Sequence, residues 1–400
     1  MKRIIKCGKL FDGTGAQPVQ NMAIVLNADR IEAIVDAEHL KKPEYDKIET
    51  IDASRYWVMP GLINIHDHLI FRDTIGLPAL NSGAPPPKLA IHAVRNSLTA
   101  LRRGWTTVRD MGSSHGIALA FREYLASGEI PGPRVVAYGS PISITGGHAS
   151  RLCEQADGVP EVRKAARRQI LAGADFIKVM ASHDPIEVSG PEKTIPEMSQ
   201  DEIQAAFDVA RDHGKLTACH VMGTIAIARV LNAGVNVMSH GFYLNDDLAA
   251  RMAEQKVYLD PTLSSYGRQT MNPKLKWGAE WAKRHEALLA PMESGFRAAV
   301  KAGVKIVAGT DSAGRYAEDV AMMREFGLSP IKSLLACSLY AAEALGKSDL
   351  IGTIEAGKIA DLVILDGDPL NDAYDLEKVE LVIQSGRPLK PSEITINALV

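Results

Sequence analysis

The middle of this chain alternates between apolar, strand-like segments and helical segments, and this alternation restricts the folds that it can adopt. Eight segments with the apolar character of buried strands follow one another: WVMPGLINIHDH, TTVRD, RVVAYG, FIKVM, KLTACH, NVMSHG, VYLDPTL and KIVAGTD. Helical stretches lie between most of them, and strands that are separated by crossover helices run parallel. Eight such units predict an α/β protein built on a closed (β/α)8 TIM barrel.

An open doubly wound sheet is the alternative arrangement of parallel strands. It would usually carry a Gly-rich phosphate-binding turn after its first strand. This chain instead has a long loop after that strand, from about Phe71 to Pro87, which contains LPALNSGAPPP. Loops on this face of a barrel line active sites, so the loop is a candidate lid.

Both ends of the chain contain short strand-like segments instead of the alternating pattern. RIIKCGKLFD, NMAIVLNADR and RIEAIVDA lie near the start, and GKIADLVILDGDPL and KVELVIQSGRPL lie near the end. Gly and Asn-Ala-Asp turns separate the first three. The sequence therefore predicts a small β-sandwich domain formed by residues 1–57 with 352–400, and a catalytic barrel formed by residues 58–351.

Two helix starts are marked by specific residues. Ser199 is followed three residues later by Glu202, which is the pattern of a capping box. Pro330 stands near the first turn of the helical segment SPIKSLLACSLYAAEALG, a position where proline is favoured. We therefore expect helices to begin at these two points.

Residue types that bind metal ions recur at the ends of five of the predicted strands. Strand ends converge only at one mouth of a closed barrel, so side chains that are far apart in sequence meet there. The residues are His66, His68, Lys178, His220, His240 and Asp311. Their arrangement predicts a metal-dependent hydrolase.

Each of these residues also has a simpler interpretation. His66 and His68 point to the same side of a strand, but a His-x-His pair alone is a weak signal. Lys178 interrupts an apolar strand. There it either extends its ammonium group to solvent, pairs with a carboxylate, or stays neutral and reacts with carbon dioxide to form a carbamate. Asp311 is equally a common helix N-cap. Cys219 should face the helices if His220 faces inward. The five strand ends taken together favour the metal site.

The remaining histidines divide into three groups. His148 lies in the Gly-rich segment SITGGHAS after the third strand and is a candidate for substrate contact. His115 and His183 follow the second and fourth strands and could line the pocket. The others are expected to be structural or solvated: His39, His92, His213 and His285.

Composition excludes several classes of partner and location. The formal net charge of −3 gives no indication of a nucleic-acid or anionic-membrane partner. No apolar run approaches the roughly 20 residues of a membrane span, and the N-terminus has no signal-peptide pattern. The four cysteines are scattered without a Cys-x-x-Cys motif. We therefore expect a cytoplasmic protein with reduced thiols.

Four motifs resemble those of the amidohydrolase superfamily: GKLFDGTG near the start, PGLINIHDH in the first barrel strand, GTDS after the eighth, and GTIEAGKIADLVIL near the end. The resemblance covers essentially the whole chain. It is strongest to the imidazolonepropionase-related branch that includes metal-dependent Xaa-Pro and Xaa-Arg dipeptidases and ochratoxin-type amidases. It implies a (β/α)8 barrel with a small β-sandwich made from both termini.

The resemblance also implies roles for individual residues. In that branch the lysine of the fourth strand is carboxylated and bridges two zinc ions, which corresponds here to Lys178. The other ligands correspond to His66, His68 and Asp311 for the more buried ion and to His220 and His240 for the more exposed one. Imidazolonepropionase lacks the bridging lysine, so Lys178 argues against that activity.

The TGGH and HGFYL segments resemble substrate-binding parts of this branch. They imply that His148 contacts the scissile carbonyl or a substrate carboxylate, and that Tyr243 lies near the same group. Arg268 and Arg315 are further candidates for anchoring a carboxylate. The strand-seven region YLDPTLSSYGRQ and the loop after strand one match no specificity pattern, so the leaving group stays open.

The expected reaction is hydrolysis of an amide bond in a dipeptide or N-acyl amino acid. Two divalent metal ions would share a bridging water and lower its pKa to give a hydroxide. Asp311 would accept its proton and deliver it to the leaving nitrogen. The alternative is hydrolysis of a neutral amide, urea or carbamate, such as a phenylurea-type xenobiotic. A third hypothesis is a protein that has the fold but no catalytic activity. We expect a small-molecule substrate and a homo-oligomer.

Overall fold

The structure is a computed structural model, and it describes residues 2–41, 48–71, 84–185, 195–267, 278–311 and 314–395. Its strands are β1 Lys2–Leu10, β2 Val19–Asn27, β3 Arg30–Asp36, β4 Glu49–Pro60, β5 Leu62–Asp67, β6 Trp105–Asp110, β7 Arg134–Ala137, β8 Ile142–Ser143, β9 Glu154–Gln155, β10 Phe176–Met180, β11 Leu216–Val221, β12 Val237–His240, β13 Tyr258–Asp260, β14 Leu362–Leu365, β15 Val379–Gln384 and β16 Arg387–Leu389. Its helices are α1 Pro86–Arg102, α2 Ile117–Ala126, α3 Gly158–Leu171, α4 Gln200–Asp212, α5 Thr224–Ala233, α6 Asp246–Glu254, α7 Gly278–Ala302, α8 Tyr316–Glu325, α9 Pro330–Ala336 and α10 Leu339–Ala344. Within these ranges no helix combines the length and apolarity needed to cross a membrane.

Strands from both ends of the chain form a separate sheet. Its seven strands are ordered β16-β15-β14-β4-β1-β2-β3, so residues near the two termini hydrogen-bond within one sheet. Strand β4 pairs in parallel with β1 and antiparallel with β14, which places it at the centre. Alternating residues such as Ile5 and Ile24 pack into a buried cluster on one face, and Ile4 and Val25 pack on the other. The predicted sandwich and its boundaries stay predictions.

The predicted barrel strands form two parallel sheets, ordered β5-β6-β7 and β13-β12-β11-β10-β8-β9. An extended segment, 305–310, lies between β13 and β5. The Leu259 N–H donates to the Lys305 carbonyl at 3.0 Å, and the Ile65 N–H donates to the Ala308 carbonyl at 3.0 Å. This segment is the predicted eighth strand, and it carries Asp311 at its end.

The two parallel sheets are separate because β7 ends one of them and the short strand β8, and not β7, pairs with β10 in the other. The pairing joins Ile142 to Val179. A hydrogen bond from the Asp175 N–H to the Ala137 carbonyl, at 3.0 Å, still links the two sheets there. The structure thus confirms mixed α/β architecture with a separate sheet, while full closure of the barrel stays a prediction.

The helices begin where the sequence indicates. The Ser199 side chain accepts from the Glu202 N–H, and the Glu202 carboxylate accepts from the Ser199 N–H, which completes the capping box of α4. Pro330 opens α9 after the Ser329 cap. The predicted helix continuing from Pro330 is interrupted, because Ser338 has a non-helical backbone (φ −139°, ψ −96°) between α9 and α10. Most of the predicted lid, 72–83, lies outside the described residues.

Candidate metal centre

The residues predicted to bind metal ions lie at or near the carboxyl ends of parallel strands, except Lys178, which lies in the middle of its strand. His66 lies on β5 and His68 directly follows it, while Asp311 follows the segment 305–310. The Asp311 N–H donates to the His66 carbonyl at 2.9 Å, which fixes the end of this segment against β5. Lys178 lies on β10, His220 on β11 and His240 at the end of β12.

The four imidazoles form a contiguous cluster. The ring centroid of His66 lies 5.5 Å from that of His68 and also 5.5 Å from that of His240. The ring centroid of His220 lies 4.6 Å from that of His240. Asp311 reaches the same cluster, with Oδ2 3.8 Å from His66 Nε2 and Oδ1 3.6 Å from His68 Nε2. The donor atoms of His66, His68 and Asp311 all lie within 4.8 Å of one another.

Three of the imidazoles are oriented by a hydrogen bond at Nδ1. His66 Nδ1 lies 2.6 Å from Asp260 Oδ2, His68 Nδ1 lies 2.7 Å from the Gly112 carbonyl, and His240 Nδ1 lies 2.7 Å from Thr262 Oγ1. Histidines that ligate metals are held in this way, because the second contact fixes the tautomer and leaves Nε2 for the ion.

Sequence reasoning missed the orienting residues Asp260 and Thr262. Asp260 ends strand β13, within YLDPTL, and its Oδ2 also accepts from Ser239 Oγ at 3.0 Å. Its place at a strand end was the signal that could have found it. Thr262 has a left-handed backbone (φ 46°), which a β-branched residue rarely adopts.

Left-handed backbone also occurs at three of the predicted site residues. The φ angle is 67° at His240, 69° at Tyr243 and 52° at Asp311. Such conformations cost free energy and persist where the surrounding structure enforces them, which is common at active sites.

Lys178 is buried among these side chains with 1% of its surface exposed. Its charged form would lower the pKa of His68, His220 and His240, so its side chain lies near these three imidazoles. Burial lowers the pKa of Lys178 and outweighs the opposing effect of the carboxylates of Asp311 and Asp260. A neutral amine is the form that reacts with carbon dioxide.

The protonation states suit metal binding. Burial lowers the pKa of His68 to about 3 and brings the pKa values of His220 and His240 well below the ordinary range. These imidazoles are therefore neutral and offer a lone pair. Burial alone would raise the pKa of Asp311, but the imidazoles around it hold the pKa below its usual range, so the carboxylate is ionised.

The donor set fits divalent metal ions. Nε2 of His66 and Nε2 of His220 are buried, and neither has a hydrogen-bond partner within the part of the chain that the structure describes. Buried polar atoms in this state are costly unless a ligand satisfies them. Imidazole nitrogens with carboxylate oxygens suit zinc and similar ions. A second group of donors within 4.8 Å consists of His148, Asp184 and His220, and Asp184 was not predicted.

His148 lies against the cluster, and its contact with substrate stays a prediction. Its ring stacks on that of His220, with centroids 4.0 Å apart and an interplanar angle of 19°. Its backbone N–H donates to both carboxylate oxygens of Glu197, at 2.8 and 3.0 Å. His183 Nδ1 lies 2.6 Å from Glu197 Oε1. Glu197 thus joins the segments after β8 and β10, a connection that sequence reasoning did not find.

The other candidates lie at different distances from the cluster. Tyr243 is half-buried on the loop after β12, close in sequence to His240. His115 is exposed, in a turn after β6. His285 is buried with its ring centroid 6.0 Å from that of Tyr266, which agrees with a structural role. Arg268 lies outside the described residues, and Arg315 is an exposed residue that lies 3.5 Å from Glu377.

Comparison with known proteins identifies relatives whose similarity covers most of this chain. Residues 57–389 match the amidohydrolase family. An ochratoxinase of Aspergillus niger is 28% identical over an alignment that covers 92% of this chain and 82% of that protein. The match extends over most of both proteins, so the similarity is not confined to one motif.

Solved structures agree with this similarity. A Xaa-Pro dipeptidase with methionine bound in its active site is 28% identical, with a TM-score of 0.87 over 98% of this chain and 100% of that one. A prolidase complexed with N-methylphosphonate-L-proline is 27% identical, with a TM-score of 0.88 over 98% of this chain and 100% of that one. Both therefore share the fold over nearly their whole length.

Proposed function

We propose that this chain, which belongs to the amidohydrolase family, is a binuclear metal-dependent hydrolase of dipeptides or N-acyl amino acids. Family membership makes it a hydrolase of carbon–nitrogen bonds. The observation that carries the finer proposal is the buried cluster of four imidazoles beside Asp311, in which Nε2 of His66 and of His220 have no hydrogen-bond partner among the described residues. The names of the relatives, a Xaa-Pro dipeptidase, a prolidase and an ochratoxinase, support a substrate with an amino-acid portion.

Two sets of side chains would hold the metal ions. His66, His68 and Asp311 would bind the more buried ion, and His220 and His240 the more exposed one. Lys178, carboxylated on its amine, would bridge them. Ions bound there lower the pKa of a water toward neutrality and polarise the substrate carbonyl.

The protein side chains then position the substrate and move the proton. The ionised carboxylate of Asp311 accepts the proton of the attacking water and later donates it to the leaving nitrogen. His148 contacts the scissile carbonyl, and the stacking of its ring on His220 supports this role because it places His148 beside the expected metal ligands. Tyr243 contacts the carboxylate of the substrate. Cleavage releases an amine and a carboxylic acid.

A substrate screen with metal analysis tests this proposal. Protein purified without chelator should contain up to two divalent ions per chain, mainly zinc, and should hydrolyse dipeptides or N-acyl amino acids faster than phenylureas and carbamates. Activity in a metal-free preparation would refute the metal-dependent mechanism. Hydrolysis of only the phenylureas or carbamates would replace the proposed substrate class by the neutral alternative.

A further inference from the structure

Among the described residues near the cluster, the carboxylate of Asp184 has no role in the proposed mechanism. It lies in the segment after β10 and is 6% exposed. Its Oδ2 accepts a hydrogen bond from the Tyr266 hydroxyl at 2.7 Å. One of its carboxylate oxygens lies within 4.8 Å of ring nitrogens of both His148 and His220. Asp184 therefore lies beside the residues that are expected to surround the scissile amide.

Tyr266 holds this carboxylate from a different loop. It ends the turn Leu263–Tyr266 that follows β13. Its ring packs edge-on against Phe242, with centroids 4.8 Å apart, and against His240 at 5.6 Å. Edge-to-face packing of this kind fixes the direction of the hydroxyl. The orientation of Asp184 is thus set before substrate binds, which reduces the entropy cost of recognition.

A carboxylate at this position selects the charge of the substrate group beside it. Like charges repel strongly in a partly desolvated pocket, so a substrate carboxylate is disfavoured here. A buried carboxylate is stabilised by a cation that also donates hydrogen bonds. A dipeptide brings such a group, because its protonated α-amine is one carbon away from the scissile carbonyl. An N-acyl amino acid has no charge at that place.

We propose that Asp184, oriented by Tyr266, binds the protonated α-amino group of the substrate, so that the enzyme acts on dipeptides with a free N-terminus in preference to N-acyl amino acids. This inference rests on the proposed function and names the substrate class of the same site. His148 then contacts the carbonyl and Tyr243 the carboxylate at the opposite end of the dipeptide.

Paired substrates that differ only in the amine test the inference. Alanyl and propionyl derivatives of one amino acid, the best leaving group in the substrate screen, are compared with zinc-loaded protein. We expect kcat/KM for the alanyl compound to exceed that for the propionyl compound by about 100-fold. Asp184→Asn should reduce this ratio to about tenfold or less, because the charge is lost. Tyr266→Phe should reduce it less, because the carboxylate remains.

Controls separate recognition from other effects. Asp349→Asn, at an exposed aspartate, should keep the ratio of the unmodified protein. A ratio near one in the unmodified protein, or an unchanged ratio in both pocket variants, would overturn the inference. So would loss of zinc from Asp184→Asn with equal losses on both substrates, since Asp184 would then act on the metal centre. If Asp184→Asn does not fold, the ratio of kcat/KM values measured with Tyr266→Phe decides the inference, and an unchanged ratio in that variant overturns it. Failure to hydrolyse either compound with any leaving amino acid refutes the proposed function itself.

Discussion

A lysine buried among imidazoles is the residue on which the proposed chemistry depends most. Lys178→Ala should abolish activity and reduce the zinc content, because it removes the bridging oxygens that carboxylation would supply. Added formate or acetate should restore part of the activity, since a short carboxylate can occupy the vacated space and offer the same oxygens. Steady-state rates and metal analysis with and without the acids measure both effects. Full activity in the variant without added acid would eliminate the bridging role.

Asp311 allows a substitution that removes charge without disturbing the backbone. Asparagine tolerates the left-handed conformation that Asp311 adopts (φ 52°) and has nearly the same shape. Asp311→Asn should therefore keep much of the metal but lower kcat by about 100-fold to 10,000-fold, the range expected for a lost proton acceptor and donor. Stopped assays and metal analysis of the same preparation give both quantities. A near-normal kcat would remove Asp311 from proton transfer.

The residues at strand ends were predictable because side chains alternate along a strand and strand ends meet at one mouth. That reasoning finds residues by their position within one element. Asp260, Glu197 and Asp184 act instead through partners distant in sequence: His66, the segment around His148, and Tyr266. The strand-end position of Asp260 marks it as a candidate, but only the folded chain brings these pairs together and shows which partner each carboxylate contacts.

Among the elements, long periodic segments were predicted well and very short ones were not. Helix α4 begins after the predicted cap because its capping box is a local interaction between Ser199 and Glu202. The strands β8 and β9 have two residues each, too few for any alternation to be visible. Their pairing nevertheless changes how the parallel strands join. The break at Ser338 likewise interrupts a segment whose composition is helical throughout.

The contact between the segment after β8 and the segment after β10 depends on Glu197. Glu197→Gln replaces one of the two oxygens that accept from the His148 N–H by an amide nitrogen. The N–H of the glutamine side chain would then point at the backbone N–H of His148, and the two donors would repel each other. We expect His148 to be displaced and KM to rise by about tenfold, with zinc content unchanged. Steady-state kinetics with metal analysis measure this. Both KM and zinc content are measured because a loss of folding would lower the zinc content as well.

Glu161→Gln provides the matched control for that experiment. Glu161 also accepts from a backbone N–H, that of Asp157 at 3.0 Å, but it is exposed at the start of α3. Its substitution should leave KM unchanged. If both variants raise KM equally, or if Glu197→Gln loses zinc before KM changes, the proposed role of Glu197 in positioning His148 is wrong.

At the scale of the whole molecule, the strands of the sheet formed by both chain ends lie before and after the parallel strands in the order of the chain. Strand β4 ends at Pro60 and β5 begins at Leu62, so the central strand of that sheet leads directly into the strand that carries His66. Gly61 at this junction has no room for a side chain, because a Cβ atom would lie 2.3 Å from Thr106 Oγ1. The two parts therefore depend on each other for position. The predicted homo-oligomer stays a prediction.

The buried imidazoles make the stability of the metal-free protein depend on pH. Unfolded histidine has a pKa of about 6.5, whereas burial lowers the pKa of folded His68 to about 3. The unfolded chain therefore binds more protons in this interval, so the stability that His68 contributes is present above about pH 6.5 and is lost as the pH falls toward the folded pKa. When the pH falls from about 7.5 to about 5.5, each such histidine should lower the free energy of unfolding by about 1 kcal/mol. Denaturant unfolding of chelator-treated protein and of His68→Asn measures this, and the variant should show a smaller loss by that amount. Equal losses in the two proteins would mean that folded His68 takes up a proton as readily as the unfolded residue.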